Sequence, residues 1–271
     1  MKITHDGTVL RGRALDVRDL DVSGRDVVAA VRGAASPVAI DAPTPGAIHE
    51  RVGYVRPGMG LSTRTALAVA ARSLGHSAPQ DDEIAAVEVK LSALSCPSVS
   101  TRAARKAASD RGTETERVRE RVAELRGRVQ AARERGEEPA ELEAELATAV
   151  RELSEVETAA AAARETLVAA REDAREARDA RERRMRLEDR RANLERAARA
   201  QLVERVDGAY ADAVTAVPGP TPADPFKADP VTAALAIGRV ADLAAPVVLE
   251  CDRFESEGAA ASWLDAPVVR L

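Results

Sequence analysis

Two apolar runs of helical period meet at Gly136-Glu137-Glu138-Pro139, and this meeting constrains the fold more than any other feature of the chain. Before it, Val118, Val122, Leu125, Val129 and Ala132 recur at spacings of 4, 3, 4 and 3. After it, Leu142, Leu146, Ala149, Leu153, Val156, Ala160, Ala163, Leu167, Ala170, Ala174 and Ala177 keep the same rhythm. A mean spacing of 3.5 holds the apolar residues on one stripe, which another helix must cover. The earlier residues Ile84, Val87, Leu91 and Leu94 share the pattern, which Pro97 interrupts. The flanks of the break, back to about Pro79 and on to about Arg205, would each span about 85 to 100 Å as straight helix. Matched flanks predict an antiparallel coiled-coil hairpin over residues 79–206 with its tip at Gly136 and Pro139. Gly136 would close the first helix, and Pro139 would sit in the first turn of the second. Past Ala177 the register slips. Residues 172–190 therefore read either as a continuation of the seam or as a solvated helix held by i,i+4 ion pairs.

Composition agrees with close helix packing. Apolar residues make up 45% of the 271, but aromatics only 2%, so alanine carries much of the hydrophobic count. Charged residues reach 31%, yet the net charge is only −5, which argues against a general polyanion binder. Only Lys2, Lys90, Lys106 and Lys227 are lysines among 40 basic residues, a bias of GC-rich genomes that leaves a salt-adapted setting open. Cys96 and Cys251 belong to no CxxC, so both read as reduced thiols. With no apolar leader and no membrane-length run, a cytoplasmic protein with no membrane contact is expected.

The flanking pieces carry strand and helix signals in alternation. In residues 1–78, Asp6-Gly7 reads as a hairpin turn, and Ser23 with Asp26 as the cap of a short helix stopped by Gly33. Ser36 to Ile40 reads as a buried parallel strand, and Arg64 to Leu74 as a helix. In residues 207–271, Asp229-Pro230 opens a helix. Strand, Ser256-capped helix and strand then complete a βαβ unit, with Trp263 anchoring its helix. Neither piece has strands enough for a sheet, so together they predict one α/β base domain, interrupted by the hairpin, with three parallel strands plus the N-terminal hairpin. The chain as a whole is predicted to be mainly helical.

Candidate chemistry is sparse. Gly58, Gly60, Ser62, Thr63 and Arg64 form a Gly-rich turn at a helix start, where N–H groups and a guanidinium suit a phosphate or carboxylate. The same residues also make an ordinary turn and cap, and the lysine of a P-loop is missing. Glu250 and Asp252 follow an apolar strand, where a magnesium or ribose contact would be sought and where solvent also begins. His5, His49 and His76 show no metal-site or triad spacing and read as surface histidines. No catalytic group and no cofactor is assigned. Arginines at 181–186, followed by Asp189 to Arg199, form the only basic concentration. Interspersed acids favour a solvated face over a nucleic-acid contact, which stays the alternative.

The order of α/β piece, long antiparallel coiled coil and C-terminal strand ending in Glu250 and Asp252 resembles the head-and-arm plan of the SMC and Rad50 proteins. The chain departs from that family in its missing Walker A lysine and signature motif, and in having no CxxC at the tip. The stretch from His49 to Ile84, with Arg119 to Val129 after it, looks like an uncharacterised family of haloarchaeal coiled-coil proteins, which implies a cytoplasmic, salt-adapted setting. The expected function is a non-enzymatic scaffold presenting its arm to a protein partner. The alternative is a degenerate SMC/Rad50-like nucleotide-binding protein in DNA maintenance.

Overall fold

All residues, Met1–Leu271, are described in the computed structural model. In chain order the elements are β1 (Lys2–His5), β2 (Thr8–Arg11), β3 (Ala14–Asp16), α1 (Gly24–Val31), β4 (Ala39–Asp41), α2 (His49–Val52) and β5 (Tyr54–Val55). There follow α3 (Thr63–Ser73), α4 (Asp81–Ala93), α5 (Arg102–Glu134), α6 (Ala140–Glu204), α7 (Asp207–Ala216), α8 (Pro230–Val240), β6 (Val247–Leu249), α9 (Glu257–Leu264) and β7 (Val268–Arg270). The chain is predominantly helical, with small sheets built near its two ends and the long α6 between them. It forms two compact units, one of Met1–Val87 with Arg191–Leu271 and the other of Glu88–Arg190. No helix is long and apolar enough to cross a membrane.

In the first unit, β1 and β2 pair antiparallel across Asp6 and Gly7, both at positive φ, the geometry that a two-residue hairpin turn requires. The chain then leaves that sheet. After Gly12, β3 joins a second, wholly parallel sheet of order β3-β7-β6-β5, in which Leu15 lies beside Val269, Val269 beside Val248 and Val248 beside Tyr54. Strands from both chain ends thus interleave in one sheet, and there are two sheets where one was expected. The parallel sheet has four strands because Ala14–Asp16 separates from the hairpin and Tyr54–Val55 adds an edge.

The segment Ser36 to Ile40 departs from expectation. As β4 it pairs antiparallel with β1, Ile3 beside Ile40, and of that run only Val38 is fully buried. A short apolar run specifies burial but not direction. Here the free edge of β1 decided the pairing.

Layering follows from strand alternation. Val248 and Val269 face one side, where they pack with Val27 and Ala30 of α1 and with Ile3 and Val38. Val247, Leu249 and Val268 face the other, against α3, α8 and α9. Asp229 caps α8 through the N–H groups of Val231 and Thr232, with Pro230 in the first position. Its residues Val231 to Gly238 are buried all round, as a helix enclosed by others must be. Trp263 of α9 donates its indole N–H to the carbonyl of Ala216 at 3.2 Å and tilts against Phe254.

In the second unit α4 ends at Ala93, a connector carries Pro97, and α5 begins at Arg102. Val118, Val122, Leu125, Val129 and Ala132 are all buried on one stripe of α5. Val122 and Leu125 pack with Ala149, Leu146 and Leu153 of α6. Arg119 pairs with Glu157 at 2.7 Å, Arg121 with Glu152 at 3.7 Å and Arg133 with Glu143 at 2.6 Å, so partners descend α6 as they climb α5. Gly136 adopts φ +76, and the N–H of Glu137 reaches back to the carbonyl of Ala132 at 3.1 Å, a glycine-closed helix end. Pro139 sits one step outside the second helix, accepting its first bond from the N–H of Glu143. Around Ala177, 1% exposed, Ser95, Pro97 and Val99 of the connector share a hollow with Asp173, Glu176 and Ala180 of α6.

Core depth ranks the cost of truncation. Leu235→Ala, at a wholly buried position of α8, should cost about 2 to 5 kcal/mol in urea denaturation. Val9→Ala on the exposed β2 should stay within about 0.5 kcal/mol.

Candidate functional site at the carboxyl edge of the parallel sheet

The two Gly-rich and acidic candidates read from sequence have different fates. Gly58 adopts φ +70 and turns the chain after β5, which buries Met59. Ser62 precedes α3 but makes no side-chain cap; its hydroxyl donates to Thr65 Oγ1 at 3.0 Å. Thr63 is half-buried, Gly60 stands in open space, and the Arg64 guanidinium lies over the ring of Phe226 at 4.4 Å. That stacking contributes about 0.5 to 1 kcal/mol and holds the guanidinium against the ring.

Glu250 and Asp252 separate. Asp252 is almost fully exposed and pairs at 3.4 Å with Arg270, whose buried guanidinium also donates to the carbonyl of Glu255 at 3.2 Å. Glu250 accepts a short hydrogen bond from the hydroxyl of Tyr54. Nowhere do three histidine, cysteine, aspartate or glutamate side chains gather as a metal site would need. Cys251 between them has its thiol pushed up by burial, which makes it a poor nucleophile.

Glu250 instead belongs to a cleft of about 490 Å³ at the carboxyl edge of the sheet. Its polar rim is Arg18 after β3, Ser23 and Arg25 at the start of α1, Tyr54 and Arg56 from β5, and Glu250 after β6. Arg18 is held bidentate by Asp16, whose carboxyl lies below its usual range because of that hydrogen bond. Gly24 allows α1 to start directly against Tyr54: a Cβ there would collide with the phenolic oxygen. Arg56 lies over the Tyr54 ring at 5.7 Å. Sequence reading found Glu250 alone. The available signal was an arginine one or two places beyond each short strand, at Arg18 and Arg56.

The histidines also differ from expectation, since His5 and His49 are buried. His49 bonds through Nε2 to the carbonyl of Ala245 at 2.8 Å, which requires the proton on that nitrogen. Nδ1 is buried and has no protein partner.

The fold and cleft define a parallel α/β protein carrying a long helical insertion. The chain belongs to the family of unknown function DUF7856, which matches residues 12–268. No curated protein and no solved structure matches it.

Tyr54 and Tyr210, the only tyrosines, both have their hydroxyls pushed up to about 12 by burial; Glu250 adds to this at Tyr54 and Asp224 at Tyr210. The folded protein should therefore form no tyrosinate absorbance near pH 10, where the unfolded chain titrates. Because the native state holds these protons more tightly, their stabilising contribution is complete below about pH 10 and falls as pH rises toward 12. Urea melts across that window should show the decline, and Tyr54→Phe should reduce it.

Proposed function

We propose that this protein is a non-enzymatic scaffold in which α5 and α6 form an antiparallel coiled-coil hairpin offered to a protein partner. The observation carrying the reading is the one-sided burial of α5: five seam residues covered, with crossed Arg–Glu pairs beside them. Exposed ion pairs contribute only about 0 to 1 kcal/mol each, so the apolar seam supplies the stability and the charges favour the register. Val150 and Val168, 40% and 51% exposed, stand eighteen residues and hence five turns apart on α6, leaving apolar groups outside the seam. The nucleotide-binding alternative has less support, because no lysine stands in the Gly58 to Arg64 turn and Ser62 is bonded to Thr65.

With Cys96 and Cys251 replaced by serine, the pair Val129→Cys and Leu146→Cys should oxidise within one chain. Disulfides formed only between chains overturn the hairpin. A benzophenone group at Val150 or Val168 should capture a discrete protein adduct in cells that the same group at Val9 does not. Equal capture at all three sites removes the partner role from the helical pair. ATP with magnesium should release no phosphate above background at low or high salt. Turnover that Arg64→Ala abolishes would promote the nucleotide-binding alternative.

A further inference from the structure

The parallel sheet has a topological switch at its carboxyl edge. From β3 the chain passes to α1 on the face bearing Val248 and Val269. From β5 and β6 it passes to α3 and α9 on the opposite face. Loops that part to opposite faces leave a crevice between them, and open parallel sheets hold ligands there. The 490 Å³ cleft occupies this position and has the size of a small-molecule site.

Its chemistry is asymmetric. Arg25 and Arg56 are exposed and have no carboxylate within ion-pair distance, although Glu250 lines the same cleft. Both guanidinium groups line the cleft together with Tyr54, over whose ring Arg56 lies. Glu250 is engaged by the Tyr54 hydroxyl through Oε2, which leaves its remaining lone pairs free to accept from a ligand. The start of α1 adds little by itself, because Ser23 and Asp26 already cap each other there. Val17, Leu20, Val22 and Leu271 supply the apolar part of the lining.

We propose that this cleft binds a sugar phosphate, with the phosphate held between Arg25 and Arg56 and a sugar hydroxyl donating to Glu250. Two arginines without carboxylate partners call for a group of more than one negative charge, and guanidinium forks match phosphate oxygens. A carboxylate beside them would repel a bare anion, so it selects one that also carries a hydroxyl donor. The apolar lining suits the C–H face of a sugar. A nucleobase is disfavoured because the single aromatic face, that of Tyr54, is already covered by Arg56. Gly24 and the Tyr54–Glu250 bond fix the acceptor before any ligand arrives, which lowers the ordering cost of binding.

Calorimetry of the full chain with ribose 5-phosphate, inorganic phosphate and ribose tests the site. The sugar phosphate should bind about tenfold more tightly than phosphate, with ribose weakest, and its affinity should fall as salt rises. Arg25→Ala and Arg56→Ala, both at exposed positions, should each weaken it about tenfold while leaving the circular dichroism melt unchanged. Glu250→Ala should act in two directions: inorganic phosphate binds more tightly as repulsion is removed, and the preference for the sugar phosphate disappears. A wild type that binds neither phosphate probe, or does not prefer ribose 5-phosphate, overturns the proposal. So does a preference that survives alanine at both arginines.

Discussion

The parallel pairing of β3, β7 and β6 is the constraint on which the first unit depends. Leu15 at one end of the chain lies beside Val269 at the other, so no core closes on either side of the sheet until the last strand is in place. Val269 and Val248 supply one face and Val268, Val247 and Leu249 the other, each burying about 1.5 to 3 kcal/mol of apolar side chain. Closing so long a loop costs entropy that grows with the logarithm of its length. An insertion that folds on its own local contacts reduces the number of residues left to order, and the α5 and α6 contacts are of that kind. Helical contacts close in sequence form fast, whereas this sheet waits for partners at both ends.

The same division explains what could be read in advance. Caps and turns are local, so Ser23 with Asp26, Asp229 with Pro230, Ser256 and the Asp6-Gly7 turn were each legible. The seam of α5 was legible because a period repeated many times outweighs any single residue. Strand partnership was not. β4 and β6 are equally short runs, yet one joins β1 antiparallel at the edge of the small sheet and the other lies inside the parallel sheet. Nothing within either run records which edge will be vacant. Buried His49 was missed for a related reason: its acceptor, the carbonyl of Ala245, belongs to a distant segment of the chain.

The cleft was the least legible part, because a site at a sheet edge is assembled from loops whose adjacency is set by strand order. Arg18 and Arg25 come from the loop after β3 and the first turn of α1, Arg56 and Glu250 from the loops after β5 and β6, and only the order β3-β7-β6-β5 places these three segments around one hollow. Glu250 drew attention because it ends an apolar run. The candidate turn at Gly58 drew attention because glycines and a helix start suggest a phosphate cradle, but its arginine went to Phe226. A Gly-rich turn signals a backbone bend first, and a cradle only when its N–H groups and a cation converge.

The two candidate features answer to different physics. A helical seam fixed by alanine and small aliphatic residues tolerates substitution on its solvated sides, because its stability is spread along many similar contacts. The cleft is the opposite case. At Gly24 a single methyl group would strike the Tyr54 oxygen, and Tyr54 in turn holds Glu250 beside two exposed arginines. Glu250 stays exposed to solvent there, and packing α1 against the β5 edge needs only apolar contact. Tyr54 could have been phenylalanine for the sake of that packing. What the hydroxyl adds, and Gly24 leaves room for, is the hydrogen bond to Glu250.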